Sequence, residues 1–203
     1  TSLAFAQAHG LEPLARINRF VKSQGAVPGI QLAHAGRKAS EARPWDGGGH
    51  LTDSAGGWTP VAPSAIAFGG GLNKVPRELT VDDIKQVQGD FVAAAKRALA
   101  AGYAWLELHS AHGYLSHEFL SPLSNRRSDV YGGTFENRIR FLLETARAVR
   151  AVWPDNLPLT ARLSCSDWIE GGWTIEESIE LARRLKSEGV DLIDASSGGS
   201  GLL

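Results

Sequence analysis

The chain has 203 residues, 43% of them hydrophobic and 21% charged, with a formal net charge of −1. That is a globular composition with enough apolar length for one sizeable core. Charge so close to zero, with Lys and Arg dispersed along the chain, argues against nucleic acid or an anionic membrane surface as the main partner. No apolar run approaches the roughly 20 residues that a transmembrane helix needs, and the N-terminal "TSLAFAQAHG" has no signal-peptide pattern. Cys165 is the one cysteine, so no internal disulfide can form, which fits a reducing cytoplasm. A sequence without methionine reads as processed or partial.

Four helix-then-strand units follow in chain order. "LEPLARINRFVKSQ" (11–24) has the apolar spacing of an amphipathic helix and stops at Gly25, and "VPGIQLAHAG" supplies a short strand. Thr80 is an N-cap for "VDDIKQVQGDFVAAAKRALAAG", which has acidic residues in its first turn and Gly102 at its end, and "YAWLELH" is the next strand. "FENRIRFLLETARAVRAVW" is a third helix, stopped before Pro154 and followed by "LPLTARLS". Thr174 caps "IEESIELARRLKSEG" with Glu177 at the capping-box position, and "VDLIDASS" closes the series. Helices alternating with apolar strands predict a parallel α/β sheet.

Parallel strands covered on both faces read as continuous apolar runs. These strands are two-sided instead. Ile30 and Leu32, Leu106 and Leu108, and Leu159, Ala161 and Leu163 form an apolar face. Gln31, then Glu107 and His109, then Thr160, Arg162 and Ser164, then Asp194 and Ser196, form a polar one. Helices cover the apolar face, so the polar face borders a lumen, and its polar groups gather toward the C-terminal strand ends, where barrel active sites lie. No G-x-G-x-x-G opens a helix, so a (β/α)8 TIM barrel is preferred over a doubly wound sheet. The Gly- and Pro-rich stretch 36–79 is far longer than ordinary connections. Its Trp45, Trp58, Ile66 and Phe68 predict a packed, lid-like excursion or subunit contact beside the strand ends, with a hairpin.

"LELHSAHGYLSH" (106–117) brings together His109, His112, Tyr114 and His117. The spacing alone allows a metal site, a proton relay or loop decoration. A zinc hydrolase would place H-E-x-x-H on one helical face, whereas His109 and His112 straddle a strand end and a loop, with no cysteine nearby. No metal site is expected. Glu107, His109 and Arg162 in one lumen need a ligand or a network to satisfy them. His117, further along, reads as a solvated or packing residue.

Taken in order, "QLAHAGRKAS", "ELHSAHGYLSHEFLSPLSNRRSDVYGGTFENRIRF", "LTARLS" and "GVDLIDASSGG" resemble the old yellow enzyme family of flavin-dependent ene-reductases, closest to its bacterial xenobiotic-reductase and thermophilic-like branch. The resemblance implies FMN at the C-terminal mouth of a (β/α)8 barrel, with Gln31 at the pyrimidine edge of the isoalloxazine and Arg162 beside N1 and O2. It implies that His109 and His112 grip the carbonyl or nitro oxygen of an electrophilic alkene or nitro substrate, and that Tyr114 donates the proton. NAD(P)H would reduce the flavin, leave, and be replaced by substrate in a two-step hydride shuttle. A homo-oligomer is the expected assembly. Arg126, Arg127 and Asp129 of "SPLSNRRSDVYGG" are read as holding loop geometry by salt bridges. Arg37 and Lys38 are read either as approaching the flavin or the nicotinamide phosphate, or as solvated. Cys165 should not inherit the family's redox-tuning cysteine role, which belongs to the first strand.

The same resemblance places the four legible strands third to sixth in a barrel of roughly 250 residues or more. The strands that tune the flavin and bind its phosphate lie outside. A dienoyl-CoA reductase or amine dehydrogenase of the same superfamily, or a non-catalytic half-barrel, are the rival readings.

Overall fold

The computed structural model describes residues 11–201. Helix α1 (Leu11–Ser23) leads into strand β1 (Gly29–Leu32). After the excursion, with short strands β2 (Val61–Ala62) and β3 (Arg77–Glu78), come α2 (Val81–Ala100) and β4 (Trp105–Ser110). Then follow α3 (Leu115–Leu120), α4 (Phe135–Arg150), β5 (Leu159–Ser164), α5 (Ile175–Ser187) and β6 (Leu192–Ser196). The main sheet has the order β1-β4-β5-β6, parallel throughout. Chain order and sheet order agree, so the described strands contain no reversal point of the kind a doubly wound sheet requires. The helices follow the same sequence, α1 on α2, α2 on α4, α4 on α5. This is part of a TIM barrel wall.

The caps explain why the helices begin where they do. Thr80 and Asp83 form a reciprocal capping box on α2, as Thr174 and Glu177 do on α5, and Thr134 accepts from Asn137 N–H at the start of α4. The apolar strand face packs beneath the helices. Leu106, Leu108, Leu159, Ala161 and Leu163 are fully enclosed with Phe91, Ile139, Leu142, Leu181 and Leu185. Ala94, Ala95 and Ala98 let α2 approach closely. Each fully buried Leu contributes about 1.5–3 kcal/mol.

The opposite face is only partly covered. Its first layer is apolar, with Trp105 and Leu192 at the strand starts exposed at 36% and 47%. The following layers are polar. That gradient, apolar at the floor and polar at the mouth, is the expected lumen seen from inside.

Two elements differ from the sequence expectations. Helix α3 carries no readable period because all six of its residues are buried, so no solvent face marks it. The excursion is held by polar contacts more than by its tryptophans: Trp45 is 78% exposed and Trp58 is also exposed. Its hairpin closes through Ala42 N–H to Gly49 O and Leu51 N–H to Ser40 O, while β2 and β3 pair in parallel. Arg127 anchors it, donating to Pro63 O and Leu79 O and pairing with Asp129, as the salt-bridge reading expected. Arg126 contributes only its backbone N–H, to Ser64 Oγ.

Candidate active site

Strand register assembles the site in layers. Gln31, Glu107 and Thr160 are successive Cα partners across β1, β4 and β5. One step toward the C-terminal ends, His109, Arg162 and Asp194 form another row across β4, β5 and β6. Side chains two apart on a strand share a face, so both rows point into the lumen. In the lower row Gln31 Nε2 donates to Glu107 Oε1 at 2.7 Å, and Thr160 Oγ1 lies 3.3 Å from Glu107 Oε2. In the upper row, Arg162 Nε lies 3.4 Å from Asp194 Oδ2, too poorly aligned for a hydrogen bond. His109 is 6% exposed, and its Nδ1 is buried without a hydrogen-bond partner among the described residues. Burial, then His112 and the Arg162 charge, pushes its pKa down to about 4, so the ring is neutral at pH 7.

Beyond β4 the chain reverses at Ala111–Tyr114, closed by Tyr114 N–H to Ala111 O at 3.2 Å. Both central residues are left-handed, His112 at φ 58° and Gly113 at φ 70°, as a primed turn requires. For a residue bearing a Cβ this conformation costs about 1–2 kcal/mol, and neighbouring contacts impose it. His112 N–H donates to Ser164 Oγ, its Nε2 is 2.6 Å from Ser196 Oγ, and its carbonyl accepts from Lys38 Nζ at 2.7 Å. The turn brings three rings together. The His109 and His112 centroids are 5.3 Å apart, and Tyr114 meets His109 edge-on at 5.0 Å. Burial, with Arg162 and His117 next, lowers the His112 pKa as well.

Of the two readings of His117, solvated or packing, the structure bears out packing: it is completely buried beneath this turn. Its Nδ1 accepts from Gly113 N–H at 2.9 Å, which leaves Nε2 to face Asp167 Oδ1 at 3.0 Å. Burial would raise the Asp167 pKa, but His117, Ser121 and the Trp173 N–H outweigh it and hold the carboxyl at about 2. His117 therefore props the turn from below. Arg37 and Lys38 are not solvated either. Arg37 is buried and donates to Ser200 O and Ile66 O, while Lys38 bridges His112 O and Gly199 O beneath the Phe68 ring. Carbonyl oxygens thus engage both cations.

The structure thus brings His109, His112, Tyr114 and Arg162 to one end of the lumen, with Gln31 in the row below. Sequence reading gave Ser196 and Ser164 no role at the site, although their strand parity with Asp194 and Arg162 puts them on the same face. Lys38 could not be tied to His112 from sequence, because the partners are 74 residues apart.

A parallel barrel wall with a polar mouth defines the class, and comparison supplies the family. The model of the NADH:flavin oxidoreductase / NADH oxidase family matches residues 3–200. The chain belongs to that family. It is 48% identical over 202 residues to an NADH:flavin oxidoreductase of Gibberella zeae, covering 93% of this chain and 49% of the relative. It is also 48% identical over 188 residues to an NADPH dehydrogenase of Bacillus velezensis, covering 93% and 50%. The solved old yellow enzyme homologue from Zymomonas mobilis superposes with a TM-score of 0.77 at 29% identity, over 92% of this chain and 52% of that one. The chain spans about half the length of the curated relatives it matches.

Proposed function

We propose that this chain forms the substrate-facing wall of an FMN-dependent ene-reductase that uses NAD(P)H to reduce activated C=C bonds in α,β-unsaturated carbonyl or nitro compounds. The observation that carries the reading is the convergence of His109, His112 and Tyr114 beside Arg162.

The residues present fit a flavin. Among the described residues, Arg162 Nε and His109 Nδ1 are buried polar atoms without hydrogen-bond partners on the lumen face, and a polar ligand would satisfy them. Gln31 and Arg162 would hold its pyrimidine end, and the guanidinium there favours negative charge. A bound flavin would supply the hydride-transfer chemistry between nicotinamide and substrate. The rest is this chain's own. Neutral His109 and His112 are donors to a substrate oxygen, polarising the conjugated double bond. Nε2 of His112 is taken up by Ser196 Oγ, so Nδ1 is the ring nitrogen left for a ligand. Tyr114, on the same turn, is positioned to hold the proton for the substrate carbon. The 36–79 excursion, anchored by Arg37 and Lys38 beside the turn, acts as a lid. A small electrophile is the substrate partner, in a homo-oligomer.

In the completed barrel, the purified protein should be yellow, release FMN on denaturation and reduce cyclohexenone with NADPH. Colourless protein, or flavin carried without turnover of any enone or nitroalkene, would sink the reading.

A further inference from the structure

We infer that Glu107 is a positioning residue that fixes which end of the Gln31 amide a flavin meets; the inference rests on the flavin reading of Gln31. The two residues are Cα partners on adjacent parallel strands, and their side chains meet at 2.7 Å. A carboxylate offers acceptors only, whereas an amide has a donor end and an acceptor end. At that distance the Gln31 NH2 group must face Glu107, because the flipped amide would set two acceptor oxygens against each other. The carboxylate is itself steadied from the far side. Thr160 Oγ1 lies 3.3 Å from its other oxygen and accepts from Trp105 Nε1 at 3.2 Å. The choice of amide orientation is therefore imposed from the lumen wall before any ligand arrives.

The consequence is a hydrogen-bond code at the pyrimidine edge. That edge alternates carbonyl, N3–H and carbonyl, so one donor lies between two acceptors. A Gln31 held by Glu107 keeps its amide oxygen available for N3–H, and the remaining NH2 hydrogen is left for a flanking carbonyl. Without Glu107 the amide samples both orientations, and one of them turns a donor toward a donor. The site then discriminates against planar ligands that lack an N–H at this place, although Glu107 itself never touches them.

The test uses the completed barrel and a double-mutant cycle with a readout other than turnover. Glu107→Gln is isosteric but can present either end of its own amide to Gln31. It should weaken FMN binding to the apoprotein about tenfold, within the range for a hydrogen bond of modest strength. The N3 resonance of bound 15N-labelled FMN should move toward its free-solution position. On a Gln31→Leu background, the same Glu107→Gln change should have no further effect on either measurement. Wild-type affinity and an unmoved N3 resonance in Glu107→Gln, with Gln31→Leu still weakened, would overturn the positioning role and leave the flavin reading standing. A full tenfold loss on the Gln31→Leu background would also overturn it, because Glu107 would then act on the flavin by charge alone. If Gln31→Leu binds FMN as tightly as wild type, the flavin reading of Gln31 fails first and the positioning role with it.

Discussion

Lys38 Nζ donates to the carbonyl oxygen of His112 at 2.7 Å, and the same ammonium reaches Gly199 O at 2.9 Å. Two carbonyls from different loops therefore converge on one cation. Their backbones approach so closely that a Cβ on Gly199 would lie 2.5 Å from the His112 Cα. Without the cation the two oxygens would repel one another, and the left-handed His112 would lose its strongest tether.

Lys38→Met should release that tether and leave the strands intact. A hydrogen bond from a charged group is worth about 1.5–3 kcal/mol. If His109 and His112 grip a ligand oxygen as proposed, affinity for a phenol should fall about tenfold or more while FMN content holds. Titration of the long-wavelength charge-transfer band measures it. Equal phenol affinity in wild type and Lys38→Met would show that the turn holds itself.

Arg162→Ala should weaken FMN binding and lower the flavin reduction potential, by about 1.5–3 kcal/mol in binding. Asp194, 3.4 Å away, would be left facing the ligand uncompensated. The Arg162→Ala, Asp194→Ala double variant should therefore recover part of the affinity. Flavin content and potentiometric titration across the three proteins decide the matter, and unchanged values in the single variant would remove Arg162 from the flavin site.

Tyr114→Phe keeps the ring that packs edge-on against His109 and removes only the hydroxyl. Flavin binding and reduction by NAD(P)H should survive. Oxidation by cyclohexenone should slow by about 10²–10⁴-fold. Nitroalkenes should suffer less, because a nitronate is stabilised enough to leave unprotonated. Rapid mixing separates the two half-reactions, and an unchanged cyclohexenone rate would assign the proton to another source.

His34 and His109 both sit at about 4 in the folded chain, each pushed down first by burial. Below about 6.5 the unfolded chain takes up protons that the folded one refuses. Stability from these two rings is thus complete above about 6.5 and drains as the pH falls toward 4. Urea midpoints should drop between pH 7 and pH 5, and the His109 ring should show no NMR titration across pH 6–8. A His109 inflection near pH 6.5 would mean that the site is wetter than its packing indicates.

Much of this architecture was legible because it rests on short-range rules. The alternation of Leu106, Glu107, Leu108 and His109 fixes which face is wet, and Thr80 and Thr174 mark helix starts by chemistry that acts over three residues. What stayed hidden depends on distant partners or on total burial. Helix α3 has no exposed side from which to read a period. His117 looks like any loop histidine until Asp167 arrives from the β5–α5 connection. The roles of Arg37 and Lys38 depend on carbonyls at residues 66, 112, 199 and 200. Trp45 misled in the other direction, because an aromatic in a long loop invites a packing reading that its 78% exposure denies.

The left-handed backbone at His112 narrows what protein engineering can do at this position. A replacement must tolerate positive φ and, for the proposed role, also offer a donor to an oxygen. Asparagine meets both demands, since it is among the few residues with a Cβ that visit this region readily. Valine and isoleucine meet neither, and threonine brings a hydroxyl but fails on the backbone, because branching at Cβ compounds the clash. Saturation libraries at residue 112 should therefore collapse to a handful of active members. The same substitutions at His109, in ordinary strand geometry, should be graded by hydrogen bonding alone.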